Sequence, residues 1–125
     1  MDVRKKTGKL GETAAAAFLE QQGVRILERN FRSRFGEIDL IGVDGPYLAV
    51  IEVKTRRGRG SGLGVEAVDL RKQQKICSTF NYYRMKRRLT DFVPVRFDVV
   101  EVDMASNCRW IKNAFEYMDH QGCMY

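Results

Sequence analysis

The spacing of apolar positions predicts two helices. Between Gly8 and Gln22 apolar side chains recur at steps of three and four, and Gly23 follows as a stop signal. The face that this helix buries is expected to carry Leu10, Ala14, Ala17 and Phe18. A second helix is expected from about Val65 to about Arg88, where apolar residues again recur at helical spacing and the exposed side is basic. We expect its aromatic residues Phe80, Tyr82 and Tyr83 to serve in packing.

Strands are predicted where apolar residues alternate or run together between turn residues. Five segments meet this description: Val24–Phe31, Gly36–Val43, Tyr47–Thr55, Pro94–Val102 and Trp110–Phe115. The second and third should form a hairpin around a four-residue loop, Asp44–Tyr47. The predicted order αβββαββ indicates an α/β fold, a mixed central sheet flanked by helices, in a single domain over residues 1–125.

The hairpin predicts a cluster of charged side chains. If Val43 pairs with Leu48, opposed residues share a face of the sheet along the whole hairpin. One face then carries Glu37, Asp39, Glu52 and Lys54, with Asp39 opposite Glu52 and Glu37 opposite Lys54. The other face carries Ile38, Leu40, Ala49, Ile51 and Val53.

The opposed acids Asp39 and Glu52 point to a metal site. Opposed Cβ atoms lie about 4.5 to 5.5 Å apart, so two carboxylates there repel each other. Mg²⁺ or Mn²⁺ would relieve this repulsion, since these ions prefer oxygen ligands and share their remaining positions with water and phosphate. Lys54, on the same face, could hold an attacking water or stabilise charge on a phosphate. An ordinary solvated face is the alternative, but strands this apolar are expected to be buried on both sides.

Several motifs carry a resemblance to a known family. They are Gly11-Glu12, Asn30-Phe31-Arg32, Gly36-Glu37-Ile38-Asp39-Leu40-Ile41, Ile51-Glu52-Val53-Lys54-Thr55-Arg56 and Arg96-Phe97-Asp98-Val99-Val100. With these, nearly the whole chain resembles the YraN-like family of uncharacterised bacterial proteins. That family looks like a branch of the PD-(D/E)xK nuclease superfamily, close to archaeal Holliday-junction resolvases. The resemblance implies a restriction-endonuclease-like αβββαβ core. Ile38 stands where the superfamily name has proline.

The resemblance also implies a site and an activity. Asp39 and Glu52 would be metal ligands, Lys54 the catalytic lysine and Glu12 an auxiliary acid. The implied function is a Mg²⁺- or Mn²⁺-dependent endonuclease acting on DNA, including branched DNA, and the resolvases suggest a homodimer. Two alternatives stay open, namely a nucleic-acid-binding module of the same fold that does not cut, and a protein whose basic face binds an acidic partner protein.

Other charged residues have two interpretations each. Glu12 could reach the acidic cluster or could complement the dipole of the first helical turn. Glu37 is expected to orient Lys54 through a salt bridge. Lys72 could lay its stem on the core with its ammonium in water, or contact a phosphate. Gln73 lies one residue off the apolar stripe, near the expected site.

The charge of the chain is concentrated beside the predicted site. The chain has 22 Lys and Arg against 16 Asp and Glu, a formal net charge of +6. Residues 54–88 hold 11 of the basic residues and only two acids. Arg56, Arg57 and Arg59 follow Lys54 directly and are expected to grip phosphates. This placement favours a nucleic acid, with DNA expected, as the partner.

Three further features bear on the environment of the protein. Arg96 and Asp98, on one strand face, are expected to form a structural ion pair. The three cysteines Cys77, Cys108 and Cys123 are odd in number and widely spaced, which favours free thiols. The chain shows neither a long uncharged apolar run nor a secretory signal, so a cytoplasmic protein that does not span a membrane is expected.

Overall fold

Five strands form one sheet with a helix on each face. The computed structural model describes residues 3–56 and 68–118. Its elements are α1 (Val3–Gln21), β1 (Arg25–Ser33), β2 (Gly36–Asp44), β3 (Tyr47–Thr55), α2 (Leu70–Lys86), β4 (Val95–Val102) and β5 (Cys108–Phe115). The α/β class and the order αβββαββ are confirmed, and the arrangement is consistent with a restriction-endonuclease-like core. The strand ends differ from the predicted ends by at most two residues.

The strands are arranged in chain order, β1-β2-β3-β4-β5. All neighbouring strands run antiparallel except β3 and β4, which are parallel. A parallel pair needs a long connection, and α2 lies within the segment that joins β3 to β4. The sheet is therefore mixed, as predicted. Within the described parts of the chain, no helix is long and apolar enough to cross a membrane.

Two apolar clusters sandwich the sheet. The cluster around α1, here the α1 layer, comprises Ala15, Ala16, Leu19, Val24, Leu40, Ala49, Ile51, Val100 and Val102. The cluster around α2, here the α2 layer, comprises Ile38, Ile41, Leu48, Val50, Val68, Ile76, Cys77, Phe80, Tyr83, Phe97, Val99 and Phe115. The central strands β2, β3 and β4 contribute to both layers, which confirms that they are buried on both faces.

The ring contacts of α2 confirm that its aromatic residues serve in packing. Phe31 lies with its ring centroid 5.0 Å from that of Tyr83 and 6.0 Å from that of Tyr82. Phe80 packs edge-on against Phe97 at 6.0 Å. These contacts tie α2 to β1 and to β4. Among the described residues, Cys77 and Cys108 are thiols outside any disulfide, as expected, whereas Cys123 lies outside the described residues.

The buried face of α1 differs from the predicted face. Leu10 is 64% exposed and Ala17 is also exposed, whereas Gly11, Ala15 and Leu19 are buried. The helix also begins at Val3, five residues before its predicted start. The run of four alanines after Thr13 is small and apolar on every side, so the spacing of apolar residues could not fix the face. Because α1 buries Gly11 and exposes Leu10, the next residue, Glu12, also lies close to the sheet.

The second helix begins later than predicted. It starts at Leu70, and Asp69 is its N-cap, with its side chain accepting a 2.8 Å hydrogen bond from the Lys72 backbone N–H. Val68, still buried in the α2 layer, precedes the helix instead of belonging to it. The predicted start at Val65 lies outside the described residues. The helix ends at Lys86, two residues before the predicted end.

The register of the β2–β3 hairpin is confirmed. Val43 pairs with Leu48 and Leu40 pairs with Ile51. The loop is shorter than predicted, because Asp44 also pairs with Tyr47 and only Gly45 and Pro46 remain between the strands. Gly45 has φ 58°, the positive value that tight hairpin turns require at their first central residue.

Close contact between α1 and β3 yields a testable prediction. A Cβ atom at Gly11 would lie 2.5 Å from Thr55 Oγ1, closer than packed atoms allow. We expect Gly11→Ala to change the free energy of unfolding differently in two backgrounds. In the wild-type chain the change should be less favourable than in the Thr55→Ala variant, by about 1 to 2 kcal/mol. Urea unfolding of both single variants and the double variant measures this difference. An equal effect of Gly11→Ala in the two backgrounds would contradict the contact.

Candidate functional site

The candidate site lies where β2 and β3 separate. Backbone pairing between the two strands ends at Leu40 and Ile51. Just beyond this last pair, the Val53 backbone N–H donates a 2.8 Å hydrogen bond to Asp39 Oδ2. A side-chain carboxylate thus takes the place that a strand carbonyl would fill in a continuous ladder. The expected ladder pairs Asp39–Glu52 and Glu37–Lys54 therefore do not form.

Three carboxylates from two elements converge at this separation. Glu12 from α1 and Glu37 and Asp39 from β2 each offer an oxygen, and these oxygens all lie within 4.8 Å of one another. Each residue is half-buried. Glu12 lies about two and a half turns into α1, so the alternative that it complements the dipole of the first turn is wrong. The auxiliary position that the resemblance implied for Glu12 agrees with this placement.

The predicted charged residues lie close together, but at a break in the strand pairing and not along a regular ladder. Glu37 and Asp39 meet Glu12 of α1, and their charges also act on Lys72 of α2, which binds Glu52. Alternation along β2 also fails. Ile38 belongs to the α2 layer although Leu40, two residues on, belongs to the α1 layer. Regular strands place such residues on the same side, so β2 is irregular at Asp39.

Burial shifts the protonation of Asp39. The pKa of Asp39 is raised to about 6, chiefly by the loss of water around the side chain and also by the neighbouring carboxylate of Glu12. The hydrogen bond from Val53 and the charge of Lys72 act in the opposite direction. The acidic cluster therefore carries an unfavourable concentration of negative charge that its surroundings only partly offset.

Glu52 is paired with a residue of α2. Its Oε1 lies 2.8 Å from Lys72 Nζ, and the Glu52 side chain is only 4% exposed. Burial, and then the charge of Asp39, raise the pKa of Glu52 to about 7, while Lys72 and Lys54 lower it. For Lys72, burial would lower the pKa, but the charge and hydrogen bond of Glu52 together with the charges of Asp39 and Glu37 outweigh burial, and the pKa is raised. Lys72 therefore binds Glu52 within the protein, and its side chain is still 44% exposed. Its contact with a phosphate stays a prediction.

The expected salt bridge between Glu37 and Lys54 is not present among the described ion pairs. Glu37 Oε2 lies 3.5 Å from Arg32 Nε instead. Lys54 is half-buried on β3, where it pairs in register with Glu101 of β4, and its charge still acts on Glu52. Lys54 therefore adjoins the acids, but Glu37 does not orient it.

The residues predicted to contact phosphates have other partners. Arg56 Nη2 lies 2.5 Å from Glu101 Oε2, and the Arg56 side chain is only 22% exposed. Gln73 Nε2 donates to the Val68 carbonyl oxygen at 2.8 Å, so its amide supports the start of α2. Arg57 and Arg59 lie outside the described residues. In this structure Arg56 and Gln73 therefore have partners within the protein, and their contacts with a phosphate stay a prediction.

Asp98 and Arg96 confirm the predicted structural ion pair. Arg96 Nη2 lies 2.8 Å from Asp98 Oδ2 and also 2.8 Å from Asp44 Oδ2. Asp98, fully buried, accepts further hydrogen bonds from Trp110 Nε1 and from the Asn113 backbone N–H, each at 2.9 Å. This network binds β4 to β5 and to the hairpin turn, at the end of β3 away from Glu52.

Asn30 is a site residue that the sequence interpretation missed. With its amide oriented so that the nitrogen faces the acids, Asn30 Nδ2 lies 2.6 Å from Glu37 Oε1 and 3.0 and 3.1 Å from the two oxygens of Glu12. The motif Asn30-Phe31-Arg32 marked the position, but the strand pattern gave no reason to place its side chain beside Glu12.

The donor set suits a hard divalent cation. Carboxylate oxygens from Glu12, Glu37 and Asp39 are close enough to share one ion, and their mutual repulsion would fall when it binds. Glu52 lies close enough to Asp39 for their charges to interact, which extends the acidic cluster toward α2. These residues therefore fit Mg²⁺ or Mn²⁺.

The buried charge of Glu52 predicts a pH-dependent stability. Its pKa rises from 4.5 to about 7 on folding, so its favourable contribution is complete below pH about 4.5 and is lost as the pH rises through 7. In a chelator at pH 8, we expect Glu52→Gln to unfold with a free energy higher than wild type by about 1 to 3 kcal/mol, an advantage that shrinks by pH 5. Urea unfolding at both pH values measures this, with exposed Glu20→Gln as the control. A less stable Glu52→Gln at pH 8 would mean that the Lys72 ion pair outweighs burial.

Comparison with known proteins places the chain in a family. The model of the uncharacterised protein family UPF0102 matches residues 11–102, which include every acid of the candidate site. A UPF0102 protein of Syntrophus aciditrophicus is 49% identical over 114 residues, covering 89% of this chain and 89% of that protein. One of Symbiobacterium thermophilum is 47% identical over 115 residues, covering 89% of this chain and 97% of that protein. The chain therefore belongs to the uncharacterised protein family UPF0102, the YraN family that its motifs indicated.

Proposed function

We propose that this protein is a Mg²⁺- or Mn²⁺-dependent DNA endonuclease. The observation that carries the proposal is the convergence of Glu12, Glu37 and Asp39, whose oxygens lie within 4.8 Å of one another beside the buried Glu52 and its partner Lys72. The resemblance of the chain's motifs to the PD-(D/E)xK nucleases supports it. Buried acids with raised pKa values are common at catalytic sites, because folding free energy is given up to keep them there.

Each acid has a role in holding the cation. Asp39, fixed by the hydrogen bond from Val53, would hold the ion together with Glu12 and Glu37 through their carboxylate oxygens. Glu52, the second ligand that the motifs implied, adjoins Asp39 on the α2 side and would add its charge or an oxygen there. A bound Mg²⁺ or Mn²⁺ supplies Lewis acidity at a phosphate oxygen and lowers the pKa of a coordinated water.

Lys54 and Lys72 supply positive charge next to these acids. Lys54 lies on β3 two residues beyond Glu52, where its ammonium can orient a water or stabilise charge on the phosphate. Lys72 is 44% exposed while it binds Glu52, so a phosphate can approach its ammonium from the open side. The proposed chemistry is hydrolysis of one phosphodiester bond, in which water attacks phosphorus and the leaving oxygen takes up a proton.

The charge distribution supports a nucleic acid as the substrate. Residues 54–88 carry 11 Lys and Arg against two acids, so phosphates that flank the scissile one would meet positive charge. Branched DNA and a homodimer belong to the proposal through the resemblance to the resolvases. A basic face that binds a partner protein would instead predict DNA binding that is absent or insensitive to salt.

Cleavage assays with three variants test the proposal. The purified protein is incubated with linear, flapped and four-way DNA in Mg²⁺ or Mn²⁺, alongside Asp39→Asn, Glu52→Gln and Lys54→Ala. Asn at position 39 retains an oxygen that can accept the hydrogen bond from Val53, so the fold is kept while the charge is lost. We expect each variant to lose at least about 100-fold in rate, the range for removal of a group that stabilises transition-state charge.

Matched controls separate the site from general charge effects. Glu20→Gln and Arg25→Ala remove an exposed acid on α1 and an exposed base at the start of β1, outside residues 54–88, and both should cleave like wild type. Equal cleavage by wild type and the three site variants would exclude the site assignment. DNA binding that weakens with salt but is followed by no cleavage would favour the module that binds without cutting.

The affinity for the cation should depend on pH. Because Asp39 and Glu52 have pKa values of about 6 and about 7, protons compete with the ion as the pH falls from 8 to 5.5. We expect the dissociation constant of Mn²⁺, measured by calorimetry, to rise by up to about tenfold per pH unit for each proton displaced. Glu52→Gln should flatten the upper part of this profile. A profile that is flat for wild type between pH 8 and 5.5 would contradict the placement of these acids around the ion.

A further inference from the structure

We propose that Asn30 is a positioning residue, which holds the carboxylates of Glu12 and Glu37 together so that they face Asp39 as one group. The inference rests on the proposed function for its consequence in metal binding. Its geometric basis is independent of that function, because it lies in the backbone of β1 and in the contacts of one amide.

The backbone of β1 departs from regular strand geometry at Asn30. This residue has φ 54°, in the left-handed region that few residues other than glycine adopt. Before it, Glu28 reaches α2, where Glu28 Oε2 lies 2.6 Å from Arg87 Nη2. After it, Phe31 also reaches α2, packing on Tyr83. An even and an odd residue of a regular strand would point to opposite faces, so the alternation is reversed at Asn30.

The reversal determines which side chains meet. Without it, Phe31 would face α1 and Asn30 would face the apolar α2 layer. The neighbouring strand changes in step, since Ile38 pairs with Phe31 and Leu40 pairs with Arg29, and Asn30 lies between these two pairs. The conformation at Asn30 therefore places an aromatic ring in the core and an amide among the acids.

The amide links acids that belong to different elements. With the amide oriented so that its nitrogen faces the acids, this nitrogen lies 2.6 Å from Glu37 Oε1 on β2 and 3.0 Å from Glu12 Oε1 on α1. Two donor hydrogens on one nitrogen can thus bind two carboxylates that otherwise repel each other. Glycine, asparagine and aspartate are the residues that most readily adopt positive φ, and among these only asparagine brings a donor. Asparagine is therefore the residue type that meets both requirements, a left-handed backbone conformation and a side-chain hydrogen-bond donor.

A glycine substitution separates the amide from the backbone. Asn30→Gly keeps the left-handed conformation and removes the donor, whereas Asn30→Ala also strains the backbone. The matched control is Asn113→Gly, because Asn113 in β5 also has φ 54° but lies exposed next to none of these acids. We expect the Mn²⁺ dissociation constant of Asn30→Gly to rise about 10- to 100-fold, as for other residues that orient metal ligands, and that of Asn113→Gly to equal wild type.

A double-mutant cycle tests the link without metal or DNA. Urea midpoints of Asn30→Gly, Glu12→Ala and the double variant are compared in a chelator. We expect the two changes to be non-additive, because each removes the same hydrogen bonds.

Additive midpoints would overturn the proposal whatever the protein's activity. Non-additive midpoints with unchanged Mn²⁺ affinity in Asn30→Gly would overturn the positioning role. If wild type binds no Mn²⁺, the proposed function fails, and the cycle alone supports or overturns the link between Asn30 and Glu12.

Discussion

The hydrogen bond from the Val53 backbone to Asp39 is the interaction on which the rest of the site depends. It closes the gap left where β2 and β3 stop pairing, and so lets two strands of a buried sheet separate without an unsatisfied N–H group at Val53. The space opened by this separation admits Glu12 from one side of the sheet and Lys72 from the other. A continuous ladder would instead have kept Asp39 and Glu52 as opposed side chains on one face.

The site costs folding free energy, and the structure offsets only part of that cost. Asp39 and Glu52 are ionised less readily than free carboxylates because burial disfavours their charged forms. Lys72 pairs with Glu52, and Asn30 supplies a donor to Glu12 and Glu37. A hydrophobic replacement of such groups is often neutral or stabilising, so stability alone does not explain an acidic cluster between two apolar layers. A cation that binds this cluster would remove the remaining repulsion.

The sequence allowed the elements and the hairpin register to be predicted, because strong apolar alternation and a Gly-Pro turn fix both. The face of α1 could not be predicted, since an alanine run has no apolar side to distinguish. The surroundings of the acids could not be predicted either. The prediction assumed that side chains alternate between the two faces along a regular strand, and the left-handed conformation of Asn30 reverses this alternation. Arg56 and Gln73 were expected to face a ligand on the basis of their place in the chain, but nothing in local sequence indicated Glu101 or the Val68 carbonyl as their partners.

The departures from regular structure have one result in common. Gly11 lets α1 approach β3 closely enough to bring Glu12 to the sheet. Asn30 reverses β1, and Asp39 substitutes for a backbone acceptor on β2. Each of these features departs from regular helix packing or strand pairing. Together they bring carboxylates close to one another that regular elements would hold apart. A fold selected only for stability has no use for three such exceptions at one place, so their coincidence argues for a ligand that binds the acids.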